Sequence, residues 1–187
     1  MAGGAPGLTM ADAAPALSHF GIHVTDVDRM QDFYTRVLGL LVTDRGALPG
    51  GPTLAFLSRD PDQHHQLVLV SGRPAGAGYN VVNQVSFKLP ALADLQAAHA
   101  RARAAGVEQF RIVTHGNAWS VYFGDPEGNR VELFVDTPWH TPQPFAAPFD
   151  LEAPVETILR ETEAICRSRP GFASRAEWRK ALAERIG

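Results

Sequence analysis

The sequence predicts an α+β fold: two tandem βαβββ modules forming a cupped, barrel-like mixed sheet, with a C-terminal helical extension. Three observations carry this prediction: an internal repeat, the same succession of periodicities in both halves, and a proline-rich stretch after the repeat. Shifting the chain by 65 residues lays Phe20–Val24 over Val85–Leu89, and Leu54–Leu57 over Trp119–Tyr122. The same shift lays Asp60-Pro61-Asp62 over Asp125-Pro126-Glu127, and Val68–Val70 over Leu133–Val135. A single Asp-Pro turn is common. A constant offset through strand, turn and strand is the mark of a duplicated unit.

Each copy opens with an alternating strand, over 17–25 and 81–89, and continues into an amphipathic helix. In the first helix, over 28–38, Met30, Phe33, Tyr34, Val37 and Leu38 fall on one stripe. Asp26 or Asp28 can cap its start, and Gly39 can end it in the left-handed conformation. The second helix, over 92–105, is alanine-rich and stops at Gly106. Three short strands follow each helix: 40–45, 53–58 and 64–70, then 107–113, 118–123 and 130–135. The modules therefore span about 17–72 and 82–136, within a domain of residues 16–136. Thr137 to Pro154 holds five of the 14 prolines and reads as an extended crossing segment. Helices are expected at Val155–Arg167 and Ser174–Ile186, completing an extension over 137–187. Residues 1–15, rich in Ala, Gly and Pro, read as a disordered leader without the basic flank and apolar core of a signal peptide.

Composition narrows the function. The 187 residues carry a net charge of -3 and no run of Lys or Arg, which argues against a nucleic-acid surface. The apolar stretches are strand-sized, so no membrane span is expected. A lone cysteine, Cys166, cannot close an internal disulfide, which favours a cytoplasmic location. Modules of this kind pair through edge strands, so a homodimer or higher homo-oligomer is the expected assembly.

Strand alternation sorts the candidate residues. With Phe20, Ile22 and Val24 facing the helix, His19, Gly21 and His23 face the cup. In the second copy Gln84, Ser86 and Lys88 face it, as do Glu132 and Phe134 on the last strand. The repeat makes His19 equivalent to Gln84, and Leu67 equivalent to Glu132, so His, Gln, Glu and Leu surround one point. Three of these can donate to a metal, which leaves positions open for substrate. The alternative is a polar cluster that hydrogen-bonds to itself. His23 sits about 13 Å further along its strand, at ~3.3 Å per residue, and reads as a pocket-lining or core histidine.

These residues resemble the vicinal oxygen chelate superfamily, which includes glyoxalase I, fosfomycin-resistance proteins, methylmalonyl-CoA epimerase and type I extradiol dioxygenases. The pattern L-S-H-F-x(5)-D-x(6)-F-Y-x(3)-L-G over Leu17–Gly39 is similar to its first-strand and helix signature. Asp125-Pro126-Glu127-Gly128-Asn129-Arg130-Val131-Glu132-Leu133 resembles its final turn and ligand strand. The resemblance implies that His19 and Glu132 are metal ligands. Its dioxygenases carry histidine where this chain has Gln84, so the likeness breaks at a ligand.

Further features resemble the single-domain extradiol dioxygenases. His64-His65 is similar to their paired histidines, and alternation selects His65 as the acid/base. His115-Gly116-Asn117, followed by Tyr122, resembles their substrate-holding set. The resemblance thus implies His65, His115 and Tyr122 as catalytic residues, with Asn117, His64 and His23 lining the pocket. It also implies a divalent metal, Fe(II) first with Mn(II) or another ion as alternatives, and a small aromatic substrate with dioxygen. Two other functions stay open: a non-oxidative metalloenzyme of glyoxalase or epimerase type, and a metal-free small-molecule binder.

Overall fold

In the computed structural model, which describes residues 17–76, 80 and 82–186, each half of the repeat folds as strand, helix and three strands. The leader expected over 1–15 lies outside the described residues. The first half comprises β1 (Phe20–Val24), α1 (Val27–Leu38), β2 (Leu41–Ala47), β3 (Thr53–Ser58) and β4 (Leu67–Ser71). The second comprises β5 (Val85–Lys88), α2 (Leu92–Ala104), β6 (Arg111–Thr114), β7 (Ala118–Gly124) and β8 (Arg130–Asp136). Their sheets are hydrogen-bonded separately. The first runs β1-β4-β3-β2 and the second β6-β7-β8-β5, with β1 parallel to β4 and β5 parallel to β8.

Local chemistry explains the helix ends. Asp26 accepts a hydrogen bond from the Arg29 amide at 3.0 Å and caps α1. Gly39, at φ 70°, closes α1 with its N–H on the Thr35 carbonyl. On α1, Val27, Met30, Phe33, Tyr34 and Val37 are buried. Together with Leu92, Leu95, Ala98 and Ala102 of α2 they form one core shared by both sheets. His99, a polar residue type on the alanine-rich α2, is buried against the Phe110 ring at 4.6 Å. The ring's apolar faces fill that contact, which a simple polar/apolar reading of histidine misses.

The extension belongs to this body. It contributes β9 (Trp139–His140), β10 (Ala147–Pro148), α3 (Val155–Arg167), β11 (Ala173–Ser174) and α4 (Arg175–Ile186). Strand β10 adds to the edge of the second sheet beside β6, and β11 pairs with β9. Leu151, Ile158 and Cys166 enter the core, and the Trp119 indole donates to the Thr162 hydroxyl at 2.8 Å.

The repeat is real but not perfect. The hairpins keep the shift, with Leu57 opposite Leu67 as Tyr122 is opposite Glu132, but the parallel pairs do not: Phe20 pairs with Leu67, whereas Val85 pairs with Val131. Strand β4 is therefore offset by one residue against β1, and a constant shift mis-sorts it. Leu67, expected at the central point of the cup, is fully buried with Leu69 in the core behind it. Val68 pairs with Gly21 on the opposite face, just as Glu132 pairs with Ser86. Val68 is thus the true counterpart of Glu132. A one-residue slip transfers every side chain of a strand to the other face.

The turn of the second repeat also joins the halves. Glu127 accepts from the Thr25 amide at 2.8 Å, the Thr25 hydroxyl at 2.7 Å and the Asp26 amide at 2.9 Å, with Arg73 at 3.4 Å. Burial alone would raise its pKa, but these donors overcome that and hold the carboxyl below its usual 4.5. Because the folded pKa is depressed, this stabilisation is complete above pH 4.5 and disappears as pH falls through the folded value.

Glu127→Gln should therefore cost about 2 kcal/mol at neutral pH. Urea melts should show its gap from the parent closing from about pH 5 downward; a gap independent of pH would refute the charge argument. Leu151→Ala should cost about 3 kcal/mol by the same measurement, as expected for a fully packed core position.

Candidate metal and substrate site

The site is set by the parallel register of β5 on β8. Ser86 lies beside Glu132, and on the other side of β8 Tyr122 pairs with Glu132. The three side chains therefore share one face. Gln84, two residues before Ser86, reaches the same carboxylate. Its Nε2 donates to Glu132 Oε2 at 2.7 Å, and the Ser86 hydroxyl donates to that oxygen at 2.5 Å.

Glu132 is only 6% exposed, and neither Lys nor Arg pairs with it among the described residues. Lys88, the nearest cation along β5, pairs with Asp136, as does Arg175. A buried carboxylate held only by neutral donors is the arrangement a bound cation relieves. The amide of Gln84 can turn its oxygen to the same point. These two side chains fit a divalent ion through hard oxygen donors.

His19 lies in the other half of the molecule. Its ring packs edge-on against His65 at 4.2 Å, and its Nδ1 contacts the Ser18 hydroxyl at 3.3 Å. No hydrogen bond joins it to the Gln84–Glu132 pair, and no three His, Cys, Asp or Glu side chains converge on one point among the described residues. The structure thus brings together two of the three expected ligands. The third stands with the histidines of the first half.

Those histidines form a second cluster. His64 Nδ1 and His65 Nδ1 are 2.9 Å apart, and His64 Nε2 lies 3.9 Å from Asp44. His65 precedes β4 rather than lying in it, so strand parity was the wrong reason to select it. Its place against His19 and the Phe56 ring, at 5.2 Å, still puts it on the site side of the first sheet. Burial, with the neighbouring His19 and His64 adding to it, lowers its pKa, so His65 is a neutral base at pH 7. His23 is exposed on β1 and stands level with Val70.

Of the remaining expected residues, Tyr122 stands level with Glu132 and His115 meets Tyr122. His115 Nε2 meets the Tyr122 hydroxyl at 2.8 Å, and its Nδ1 lies 2.6 Å from the Phe145 carbonyl. A carbonyl can only accept, so Nδ1 carries the proton and Nε2 of the neutral ring accepts from Tyr122. Burial, reinforced by the Glu132 charge, pushes the Tyr122 pKa up to about 12. It remains a donor throughout the physiological range. Arg111 lies over its ring at 5.4 Å. Asn117 is half-buried, and its backbone carbonyl accepts from the Thr137 amide at 3.0 Å.

Two contributors escaped the sequence argument. Ser86 was placed on the correct face but given no role, although a hydroxyl at that register must meet Glu132. The extension was read only as a crossing segment and two helices, yet Phe145 is a direct partner of His115. Nothing in a proline-rich stretch signals which backbone carbonyl will reach a histidine 30 residues away.

Comparison with known proteins agrees with this architecture. Residues 16–133 match the Glyoxalase/Bleomycin resistance protein/Dioxygenase superfamily. Among curated relatives, biphenyl-2,3-diol 1,2-dioxygenase 3 of Rhodococcus globerulus is 32% identical over 129 residues, covering 65% of this chain and 64% of its own. Biphenyl-2,3-diol 1,2-dioxygenase 2 of the same organism is 27% identical over 66% of this chain and 64% of its own. The chain thus spans less than two thirds of the length of these relatives.

Among solved structures, a glyoxylase/bleomycin resistance protein/dioxygenase domain from Frankia sp. EAN1pec superposes with a TM-score of 0.57 at 21% identity, over 67% of this chain and 94% of that one. A fosfomycin resistance protein from Listeria monocytogenes, complexed with Mn(II) and sulfate, gives 0.53 at 17% identity, over 67% and 95%. The matched family region coincides with the two strand–helix–strand modules and stops just short of the extension. This chain belongs to the Glyoxalase/Bleomycin resistance protein/Dioxygenase superfamily.

Proposed function

We propose that this protein is a metal-dependent dioxygenase that opens the ring of a catechol or hydroquinone-type aromatic. The observation that carries the reading is the group of Glu132, Tyr122 and His115: a buried carboxylate that no Lys or Arg pairs among the described residues, beside a tyrosine whose hydroxyl meets the Nε2 of a histidine. The similarity to two biphenyl-2,3-diol dioxygenases supports it.

Glu132 and Gln84 would hold the divalent ion, with His19 as the third donor. When bound, the ion would supply Lewis acidity and, if it is Fe(II), a route for electrons from substrate to dioxygen. The chain's own residues would do the rest. Tyr122, protonated at neutral pH, would donate to a substrate oxygen as negative charge grows there. His115 Nε2 would take up the Tyr122 proton or that of a phenol hydrogen-bonded in its place. His65, held neutral by its surroundings, would serve as a second base from the first half. His64 and Asn117 would line the pocket, with His23 towards its rim.

Gln84 favours a second reading. An amide oxygen donates more weakly than imidazole and should lower affinity for Fe(II) relative to harder ions. Non-oxidative chemistry of glyoxalase or epimerase type with Mn(II) or a similar ion would use the same Glu132 and the same proton carriers.

Protein purified without oxygen should hold a stoichiometric divalent metal by elemental analysis and consume oxygen with biphenyl-2,3-diol or a simpler catechol. His65→Ala should reduce the uptake rate by about 100-fold or more. Stoichiometric metal without uptake on any diol would instead favour the non-oxidative reading. Gln84→His should tighten Fe(II) binding measured by titration; unchanged affinity for every divalent metal would remove Gln84 from the ligand set.

A further inference from the structure

We infer that the C-terminal extension is a working part of the site: Gln143 and Phe145 are positioning residues that fix the tautomer and aim of His115. The inference rests on the role proposed above for His115, but its geometry stands apart from any metal. The matched family region ends at residue 133, so the family match does not describe this device.

The extension holds His115 from both sides. On the ring, the Phe145 carbonyl accepts from Nδ1 at 2.6 Å, which leaves Nε2 to face the Tyr122 hydroxyl. On the backbone, the His115 carbonyl accepts from Gln143 Nε2 at 2.7 Å and from the Thr141 hydroxyl at 3.1 Å. Gln143 works at both ends, because its Oε1 also accepts from the Phe145 amide at 2.9 Å. One amide side chain thereby sets the distance between the histidine backbone and the carbonyl that reads its ring.

Two further contacts hold the strap in place. The Arg169 guanidinium from beyond α3 lies over the Phe145 ring at 3.9 Å. Pairing of Ala147 with Thr114 ties the strap to the strand that leads into His115. The next residue, Gly116, sits at φ 77°, and a Cβ there would lie 2.3 Å from the Thr141 hydroxyl. The chain approaches the strap more closely than any side chain at Gly116 would permit.

The physical consequence is selection of one tautomer. Free imidazole divides its proton between two nitrogens, and the wrong form would turn a bare Nδ1 towards the Phe145 carbonyl, two acceptors facing each other. A fixed carbonyl on Nδ1 removes that state. An ångström of misplacement at a proton-transfer group can cost about 100-fold in rate.

The test is long-range proton–nitrogen NMR of protein with 15N-labelled histidine, alongside steady-state oxygen uptake with biphenyl-2,3-diol. In the parent, His115 should show a protonated Nδ1 and an unprotonated Nε2. Gln143→Met should introduce the other tautomer and lower kcat by about tenfold, with KM changed less than about twofold. Phe145→Ala, which keeps the carbonyl but frees it from Arg169, should show the same pattern more weakly and covers the case in which Gln143→Met fails to fold. A parent ring protonated at Nε2, or variants with unaltered His115 nitrogens, would overturn the inference. Absence of oxygen uptake in the parent would overturn only the proposed reaction, because the tautomer is read without turnover.

Discussion

The molecule is organised by the register of two parallel strands, β5 and β8. Placing Ser86 level with Glu132 puts a carboxylate on the concave face of the second sheet and surrounds it with Gln84, Ser86 and Tyr122. Everything behind the sheet then follows. Val131, Leu133 and Val135 alternate into the core against α2, so a slip that exposed Glu132 differently would also expose three apolar side chains. The hydrophobic core thereby guards the position of a charge that contributes nothing to it.

The two halves are copies with divided tasks. In the second, the polar positions converge on Glu132. In the first, the corresponding position is Val68, and histidines at the strand starts replace the carboxylate. The turn residue Glu127 couples these halves by satisfying the amides of Thr25 and Asp26 at the entrance to α1. Strand β2 stays exposed along its whole length at the free edge of the first sheet.

Much of this was legible in the sequence, for identifiable reasons. The periodicity of α1, its aspartate cap and its terminal glycine are local signals, and they placed that helix within a residue. Helix α3 likewise begins just after Pro154 and ends at Arg167, as its pattern indicates. Gln84 and Glu132 emerged from strand alternation and the repeat, Glu132 also from the resemblance, and His115 and Tyr122 from the resemblance alone. Leu67 failed because a constant shift assumes that first and last strands pair alike in both copies, and the one-residue offset of β4 against β1 is invisible without the pairing. The burial of His99 is not legible because it depends on Phe110, a partner that helical periodicity does not identify. The roles of Gln143 and Phe145 depend on backbone carbonyls and a long return of the chain, for which no residue pattern exists.

The strap also bears on the order in which the chain is made. Residues 137–186 leave the ribosome after both sheets have emerged, and domains begin folding during synthesis. The repeated modules can therefore pair their strands while His115 still lacks its carbonyl partner. A chain cut short in the extension would keep Glu132, Gln84 and Tyr122 but leave Phe145 unable to restrain the imidazole. The restraint on the imidazole is consequently acquired only after the chain has run past Phe145, which separates the pairing of the strands from the setting of the histidine.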